Sequence, residues 1–519
     1  MNTPIFLTLL AFCATLVCKA QEDNVPKTEP VEPTLSLDLA LDGLGMNTGF
    51  SRGTDGEMKL LAKAGFKLVR VDLSWEWSER KPGIYSFEQW DRLLESVKKD
   101  KLKAIFILAY KNPNYDQNLN PYTDEGRQAF ANWAVAAVNH FKGRGILWEI
   151  YNEANNELFW KPKPNTQDYI KLATVTCEAI RKIFPNEIMI GPAPAGGIIW
   201  SSKFLEECFA GGLLKYFSAI TIHPYRDENP ETVAGEYRRL RVLIDRYAPA
   251  GKHIPIWSGE WGYSNIGEKK NLKIDELTQA RFNIRITLTN ILCDVPMSIW
   301  YDWNDKNYGV VTQTNKTGSP ATFKFKKSYD AATVMGAQLQ GLRFNKRLWT
   351  GDKDVYLLLF SGDKINRMVA WTTSRETKEI ILPQSGWNAL GLYGNQLPSI
   401  AGKKIVVNQD PLYLTPKNPA SSILSDLTAW PRPPASTSLF VQRPSEMASR
   451  LAKSKKAEIS LLGAGLSGNF TWGEPVILST EDVELPVDLT LQLEDGSTWT
   501  QRTWIVVSAV AHKKGFAPY

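Results

Sequence analysis

Two stretches of this sequence decide its fold: Trp148-Glu149-Ile150-Tyr151-Asn152-Glu153 and Ile254-Pro255-Ile256-Trp257-Ser258-Gly259-Glu260-Trp261. Each is a run of apolar, β-branched and aromatic residues, typical of a buried strand, and each reaches a glutamate near its C-terminal end. The C-terminal ends of the strands of a parallel (β/α)8 barrel meet at one rim. Two such strands would therefore bring Glu153 and Glu260 together. Paired carboxylates of this kind cleave glycosidic bonds, one as acid/base and the other as nucleophile.

The residues around these stretches repeat an order of short apolar strand, loop and amphipathic helix. The predicted strands are Leu44–Asn47, Lys67–Leu73, Lys103–Ala109, Ile146–Asn152, Glu187–Gly191, Ala219–His223, Ile254–Gly259 and Met297–Asp302. The predicted helices include Phe87–Asp100, Asp124–Phe141, Thr166–Phe184, Pro230–Tyr247 and Asp275–Leu292. Eight such units favour a (β/α)8 TIM barrel over an open doubly wound sheet. No glycine-rich dinucleotide fingerprint follows the first strand. We therefore predict an α/β fold with a catalytic barrel over residues 35–341.

The order changes near Leu342, where strand patterns continue without helices between them. The predicted strands there are Asp354–Ser361, Arg367–Thr373, Lys378–Leu382 and Lys404–Leu414. They indicate a small all-β side domain over 342–415, packed on the barrel, to which Leu35–Leu41 could add a strand. Residues 416–434, rich in Pro, Ser and Ala, predict a linker. Residues 435–519 predict a second β-rich domain, with strands at Ala457–Leu462, Glu474–Ser479, Leu489–Leu493 and Thr498–Ala509.

The N-terminus predicts a signal peptide over residues 1–20. Ile5–Val17 is an apolar run, and Cys18-Lys19-Ala20 follows it as a small-x-small cleavage site. A lipoprotein anchored through Cys18 is the alternative, disfavoured because Val17 stands where a small residue is expected. Residues 21–34 are acidic and Pro-rich and predict a flexible lead. We expect a secreted or periplasmic protein with no membrane span, since no later segment has about 18 continuous apolar residues.

The composition narrows the class of partner. The 519-residue chain has a net charge of +6 without a basic run of the kind that binds nucleic acid. Its 18 Trp residues are an excess that suits stacking on sugar rings, although large cores would explain about half of them. No Cys/His cluster has metal-ligand spacing, and an odd number of cysteines follows the signal peptide, so we expect neither a metal site nor a disulfide framework.

The residues at the predicted strand ends are unusually polar and aromatic. They are Arg70, Asp72, Tyr110, Asn112, Asn152, Glu153, His223, Tyr225, Glu260, Trp261, Trp300, Asp302 and Trp303. The pairs Asn152-Glu153 and Glu260-Trp261, together with His223-Pro224-Tyr225, resemble retaining glycoside hydrolases with catalytic glutamates on strands 4 and 7. Within that clan the chain is similar to family 39 and family 5 enzymes. Phe159-Trp160-Lys161-Pro162-Lys163-Pro164 resembles a stretch in bacterial exopolysaccharide-cleaving glycosidases of family 39. Ala154 stands where these families usually have proline.

This resemblance implies a role for each residue. Glu153 would be the general acid/base and Glu260 the nucleophile, about 5–5.5 Å apart. Arg70 would keep Glu260 ionised, and Tyr225 would donate a further hydrogen bond to it. Asn152 would bind the sugar 2-hydroxyl, and His223 would orient groups between the two acids.

Further residues are expected to bind substrate. Trp300 or Trp303 would form the floor under the sugar. Trp160 and Asn112, with Trp75, Trp77, Lys111, Tyr115 and Arg226, would line the subsites. Lys111 and Arg226 would suit an acidic glycan if both point inward. No metal or organic cofactor is expected, because the carboxylates supply the chemistry.

Several alternatives remain at this point. Arg70 could form a structural ion pair with Asp72, and His223 could be a satisfied core histidine. Glu149 lies lower on its strand and Glu157 lies beyond the strand end, so neither is favoured as the acid. The protein is expected to be a retaining β-glycosidase acting on a polysaccharide or oligosaccharide. A non-catalytic carbohydrate-binding protein on a degenerate barrel and a transglycosylase are the other functions open to it.

Overall fold

The computed structural model describes residues 35–48, 55–266, 268–269, 272–314, 322–348, 350–363 and 365–418, and the backbone of five strands between 439 and 507. The predicted signal peptide and N-terminal lead lie outside the described residues. So do most of the predicted linker and the predicted strand Glu474–Ser479.

Eight parallel strands close into a barrel, in the order β1-β10-β7-β6-β5-β4-β3-β2. Two hairpin strands between β7 and β10 are counted as β8 (Glu268–Lys269) and β9 (Leu272–Lys273). The barrel strands are β1 (Gly43–Asn47), β2 (Leu68–Ser74), β3 (Lys103–Ala109), β4 (Leu147–Ile150), β5 (Ile188–Pro192), β6 (Ala219–Ile222), β7 (Ile256–Trp261) and β10 (Met297–Trp300). The predicted barrel is therefore confirmed.

Closure of the barrel depends on small residues in β1. A Cβ at Gly43 would lie 2.1 Å from the carbonyl oxygen of Pro296, and one at Gly45 would lie 2.2 Å from a side-chain carbon of Ile299. Only glycine admits so close an approach of β1 to β10. Inside the barrel, inward-facing side chains pack into one buried cluster that fills the space below the rim. The rim is therefore the place where polar groups can gather.

Helices cover the outside of the barrel. They are α1 (Asp55–Lys63), α2 (Trp75–Ser78), α3 (Glu88–Lys99), α4 (Asp124–His140), α5 (Thr166–Ile183), α6 (Gly197–Ala210), α7 (Val233–Tyr247), α8 (Glu276–Leu292) and α9 (Lys327–Leu339). The starts of α4, α5 and α8 are capped by the side chains of Thr123, Asn165 and Asp275, which accept hydrogen bonds from free backbone N–H groups. The predicted helix Pro230–Tyr247 begins as a 3₁₀ turn, Pro230–Thr232, before α7.

The side domain is antiparallel. After a hairpin of β11 (Val311–Gln313) and β12 (Phe323–Phe325), its strands are β13 (Arg343–Arg347), β14 (Val355–Ser361), β15 (Asn366–Thr372), β16 (Lys378–Ile381), β17 (Trp387–Leu390), β18 (Gln396–Ile400), β19 (Lys404–Val407) and β20 (Leu412–Pro416). Six form one sheet, and β16 pairs with β19. The predicted strand Lys404–Leu414 is thus two strands, which lie in different sheets.

The prediction that Leu35–Leu41 adds a strand to the side domain is wrong. This segment is irregular, and it meets the domain through single contacts instead. The Ala40 N–H donates to the Leu342 carbonyl (2.8 Å), and Arg343 donates to the Asp38 carbonyl (3.1 Å).

The side domain also bonds to the barrel through buried polar contacts. Trp371 Nε1 on β15 donates to Glu231 Oε1 at 2.7 Å, and Arg285 of α8 binds the same carboxylate through two hydrogen bonds. All three side chains are buried. Arg281 of α8 forms an ion pair with Asp410 of the side domain at 2.7 Å. The side domain is therefore joined to the barrel at the turn that precedes α7.

The C-terminal strands form one five-stranded antiparallel sheet in the part of the chain that is described. They are β21 (Leu439–Val441), β22 (Ser454–Leu461), β23 (Ser467–Phe470), β24 (Val483–Leu493) and β25 (Thr498–Val507), in the order β21-β25-β24-β22-β23. Among the described helices, none combines the length and apolar character needed to cross a membrane.

Candidate active site

The two glutamates singled out in the sequence meet at the rim of the barrel. Glu153 follows β4 and Glu260 lies near the end of β7. One oxygen of each and a ring nitrogen of His223 lie within 4.8 Å of one another. Tyr151 and Glu153 have left-handed backbones, with φ of 72° and 48°, at an expected cost of about 1–3 kcal/mol each for non-glycine residues. The loop is fixed nevertheless, since the Glu153 N–H donates to the Ala193 carbonyl at 2.9 Å.

Arg70 on β2 connects the members of this site. Its Nε donates to Glu149 Oε2 (2.6 Å) and its Nη1 donates to Glu260 Oε2 (2.7 Å). Its Nη2 donates to Asn152 Oδ1 (2.8 Å). Burial alone would lower the pKa of Arg70, but the Glu149 and Glu260 carboxylates raise it overall. The guanidinium therefore stays charged at all working pH values.

The ion pair of Arg70 inside the barrel is with Glu149, not with Asp72 as one alternative held. Glu149 is fully buried on β4, below Glu153, and its carboxylate is bonded to Arg70 rather than to the cleft. Asp72 is exposed at the rim and accepts a hydrogen bond from the Tyr110 hydroxyl at 3.2 Å. Glu157 is exposed in the loop beyond Glu153.

His223, directly after β6, lies between Arg70 and Glu153. Its Nε2 is 3.3 Å from Arg70 Nη2, and its Nδ1 is 2.8 Å from Glu153 Oε1. Because Arg70 can only donate, Nε2 must accept, and the ring proton is on Nδ1. Burial lowers the pKa of His223 to about 4, so the ring is neutral near pH 7. His223 therefore donates a hydrogen bond to Oε1 of Glu153.

Glu153 has the properties of a carboxylic acid that holds its proton near neutrality. Burial raises its pKa to about 7, although Arg70 and a hydrogen bond from Asn156 oppose this rise. The bond from Asn156 Nδ2 to Oε2 is long, at 3.4 Å. Since Oε1 accepts the hydrogen bond from His223, the proton of the neutral acid belongs on Oε2.

Glu260 is held in a different environment. Arg70 donates to its Oε2, and the Tyr225 hydroxyl donates to its Oε1 at 3.0 Å. Burial and the neighbouring Glu260 raise the pKa of Tyr225 well above its ordinary value, so the hydroxyl stays protonated as a donor. Glu260 therefore accepts one hydrogen bond from a cation and one from a neutral hydroxyl group.

Glu153, His223 and Glu260 are also residue types that bind divalent metals. Here, however, both nitrogens of His223 already have partners, and the Arg70 guanidinium is bonded to Glu260. A divalent cation would have to displace these bonds and sit next to a fixed positive charge. The contacts fit proton transfer and nucleophilic attack better than metal binding.

Some of the predicted substrate-binding residues do not line the opening, which corrects the sequence prediction. Trp303 is fully buried, and its Nε1 donates to Glu57 at 3.1 Å. Trp300 is 2% exposed and donates to the Tyr308 carbonyl at 3.0 Å. Trp160 is buried against Tyr151, with ring centroids 5.1 Å apart.

Asn112 is likewise buried and structural. Its Nδ2 donates to the Glu79 carbonyl at 2.9 Å, and its Oδ1 accepts from the Asn114 N–H at 2.9 Å. The side chain therefore holds the loop after β3 against the loop after β2. The structure places four other predicted residues around the two glutamates: Arg70, Asn152, His223 and Tyr225.

Asp302 lies two residues after the end of β10, and the sequence prediction assigns it no role. It is buried, and its Oδ1 has no hydrogen-bond partner among the described residues. Burial, with the Asp305 and Glu260 carboxylates next in size, raises its pKa to about 7. The half-buried Tyr301 beside it is not among the residues that the sequence predicts for the site. The sequence signal that could have indicated it is its position between Trp300 and Asp302.

Comparison with known proteins identifies the group to which this site belongs. The Cellulase (glycosyl hydrolase family 5) profile matches residues 36–307, more than half of the chain. The chain belongs to this family. Family 5 is a family of glycosyl hydrolases, and the matched residues include all eight strands of the barrel.

A curated relative of this family 5 protein matches part of the chain. A β-xylosidase from Geobacillus stearothermophilus is 30% identical over 234 residues, which cover 38% of this chain and 44% of that protein. The match thus spans less than half of the relative's length.

Two solved structures share its fold. A family 39 glycoside hydrolase from the gut symbiont Bacteroides cellulosilyticus WH2 has 22% identity and a TM-score of 0.62, covering 75% of this chain and 83% of the other. A family 30 endoxylanase from Clostridium papyrosolvens C71 has 11% identity and a TM-score of 0.52, covering 73% and 97%. At these identities the likeness concerns the fold alone.

Proposed function

We propose that this glycoside hydrolase is a retaining β-glycosidase, with Glu153 as general acid/base and Glu260 as nucleophile. The main support is the contrast between the two carboxyl groups. One has a pKa of about 7, next to a neutral histidine, while the other accepts hydrogen bonds from Arg70 and Tyr225. Two acids in environments that favour opposite protonation states are what double displacement needs.

In the first step, Glu260 attacks the anomeric carbon, and the bond from that carbon to the leaving-group oxygen breaks. Glu153 transfers the proton of Oε2 to this oxygen, and a covalent glycosyl-enzyme ester forms. In the second step, Glu153 is a carboxylate and takes a proton from water, while the water oxygen attacks the anomeric carbon and releases Glu260. Because His223 donates to Oε1, Oε2 is the oxygen that exchanges the proton in both steps.

Asn152 would position the sugar for these steps. Its Oδ1 is fixed by Arg70 Nη2, which leaves the amide NH2 as the group able to bind a sugar hydroxyl. A bond to the 2-hydroxyl that strengthens in the transition state would account for the placement of this side chain.

We propose a neutral, β-linked glycan of the xylan or glucan type as the substrate. Export of the enzyme to reach such a glycan is consistent with the apolar run Ile5–Val17. A β-xylosidase among the relatives supports this choice. The hypothesis of an acidic glycan is weakened, because the Arg226 side chain is only 5% exposed and forms an ion pair with Glu236 at 3.1 Å. Its guanidinium is therefore buried and already paired with a carboxylate.

The test is hydrolysis of β-1,4-linked xylo- and gluco-oligosaccharides by the wild type, Glu153→Gln and Glu260→Gln, with products followed by proton NMR. We expect the β-anomer to appear first in the wild type and activity to fall by about 10³-fold or more in each variant. Glu157→Gln, an exposed glutamate of the same loop, is the matched control and should retain activity. An α-anomer as first product, or full activity of Glu260→Gln, would refute the proposal.

A further inference from the structure

A depression of about 370 Å³ lies next to Tyr225, at the edge of the candidate active site. It is bounded by the start of α6, by the loop after β6 and by the segment after β7. Tyr225, which donates to Glu260, lines it, and so does Tyr308. The depression therefore borders the catalytic centre at Tyr225.

Large apolar side chains are exposed along this depression. Trp200 is 86% exposed, and its neighbours Ile199 and Ile266 are 54% and 52% exposed. An indole left in water forgoes the stabilisation that burial would give, so contiguous exposed apolar groups of this kind mark binding grooves. An indole face is also the surface on which the C–H face of a sugar ring packs.

The position of the depression relative to Glu153 indicates the direction in which the leaving group extends. Asn155, two residues after Glu153, exchanges two hydrogen bonds with Ala195, at 2.8 and 3.1 Å. The loop after β5 thus lies against the proton donor, and it leads through Gly196 and Gly197 into α6 and Trp200. The leaving-group oxygen must lie within reach of Glu153. The leaving group would therefore extend over this loop toward Trp200.

The charges in the depression select a neutral ligand. The cation that lines it, Arg226, is bound by Glu236 and lies 5.4 Å from the centre of the Trp261 ring. Asp227 and Glu228 line the same depression and would repel a carboxylate while accepting hydrogen bonds from hydroxyl groups.

We infer that Trp200 is the floor of a leaving-group subsite that binds a neutral sugar ring, so that the substrate extends by at least one sugar beyond the cleaved bond. This inference rests on the proposed function, because the roles of Glu153 and Glu260 set the direction of the chain. It makes Trp200 a determinant of specificity for oligosaccharides over glycosides with small leaving groups.

The test compares two substrates that share the same glycone: a β-glycosyl fluoride, whose leaving group is one atom, and a β-1,4-linked oligosaccharide. Trp200→Ala should lower kcat/KM for the oligosaccharide about tenfold, the loss expected for one well-packed aromatic contact, and leave the fluoride unchanged. Trp200→Phe should restore part of the loss. Ile183→Ala, an exposed apolar truncation on α5, is the matched control and should affect neither substrate.

Equal losses on both substrates would assign Trp200 a structural role, and no loss on either would remove it from the site. Either result overturns the inference. If the wild type cleaves neither substrate, the proposed function fails, and calorimetric binding of the oligosaccharide to Glu260→Gln, with and without Trp200→Ala, still decides the subsite. Undiminished binding in the double variant would refute it.

Discussion

Loss of the Glu153 proton should cause the fall of activity at alkaline pH, and the Asn156 side chain should set the pH at which this fall occurs. Burial raises the pKa of this carboxyl to about 7, while the Asn156 side chain lowers it by a hydrogen bond that favours the carboxylate. Asn156→Leu removes the donor and keeps a side chain of similar size, so that water does not replace it. The pKa of Glu153 should therefore rise.

The length of the hydrogen bond sets the size of this rise. At 3.4 Å it is near the limit for such a contact, so we take the lower part of the usual range, about 0.7 kcal/mol. With 1.36 kcal/mol for each pKa unit, the shift is about half a unit. The protonated fraction at pH 8 would rise from roughly one tenth to roughly one quarter, since the pKa would move from about 7 to about 7.5.

The assay is the pH profile of kcat/KM for a β-linked oligosaccharide, which reports ionisation in the free enzyme. The alkaline limb should lie near pH 7 in the wild type and about half a unit higher in Asn156→Leu. A β-glycosyl fluoride needs no proton for departure of fluoride, so its profile should lack this limb in both proteins. A limb that stays in place, moves to lower pH, or appears equally with the fluoride would refute the reasoning.

Three substitutions test the buried charges. Arg70→Met should lower the free energy of unfolding by about 3–5 kcal/mol in urea denaturation, because Glu149 would remain buried and unpaired, whereas the exposed Arg80→Met should not. Trp371→Phe should cost about 1.5–3 kcal/mol by removing a donor to a charged group; an unchanged midpoint would contradict this. Asp302→Asn should gain stability relative to the wild type as pH rises from about 4 to about 7. In this range the unfolded wild-type chain releases the Asp302 proton, while the folded protein keeps it because burial raises the pKa of Asp302 to about 7. The gain should be on the order of 4 kcal/mol, and equal pH dependence in both proteins would show that Asp302 does not titrate near 7.

The barrel could be predicted because each strand is a short apolar run whose end is marked by a polar residue. The site could be predicted as far as it depends on strand order, which brings Glu153 and Glu260 to one rim. The direction in which each strand-end side chain points could not be predicted. Trp303 stands at a strand end like Glu260, but its indole turns outward to reach Glu57, 246 residues away in sequence.

The ion pair between Arg70 and Glu149 also could not be predicted from the sequence. The two residues lie 79 positions apart, on β2 and β4, and only the inward alternation of side chains across β3 brings them together. Asp72, two positions from Arg70, is the alternative ion-pair partner that the sequence offers. Arg70, however, points into the barrel, while Asp72 is exposed at its rim.

The bond from Trp371 to Glu231 bears on how freely this protein's parts can be recombined. A small β domain attached to an enzyme barrel is a natural candidate for replacement by the corresponding domain of another protein in a gene fusion. Here the side domain supplies one of the donors to a buried carboxylate, at a turn five residues beyond Arg226. A chimera carrying a different side domain would need its own indole, or another donor, at the same point. The unit available for recombination is therefore the barrel with its side domain.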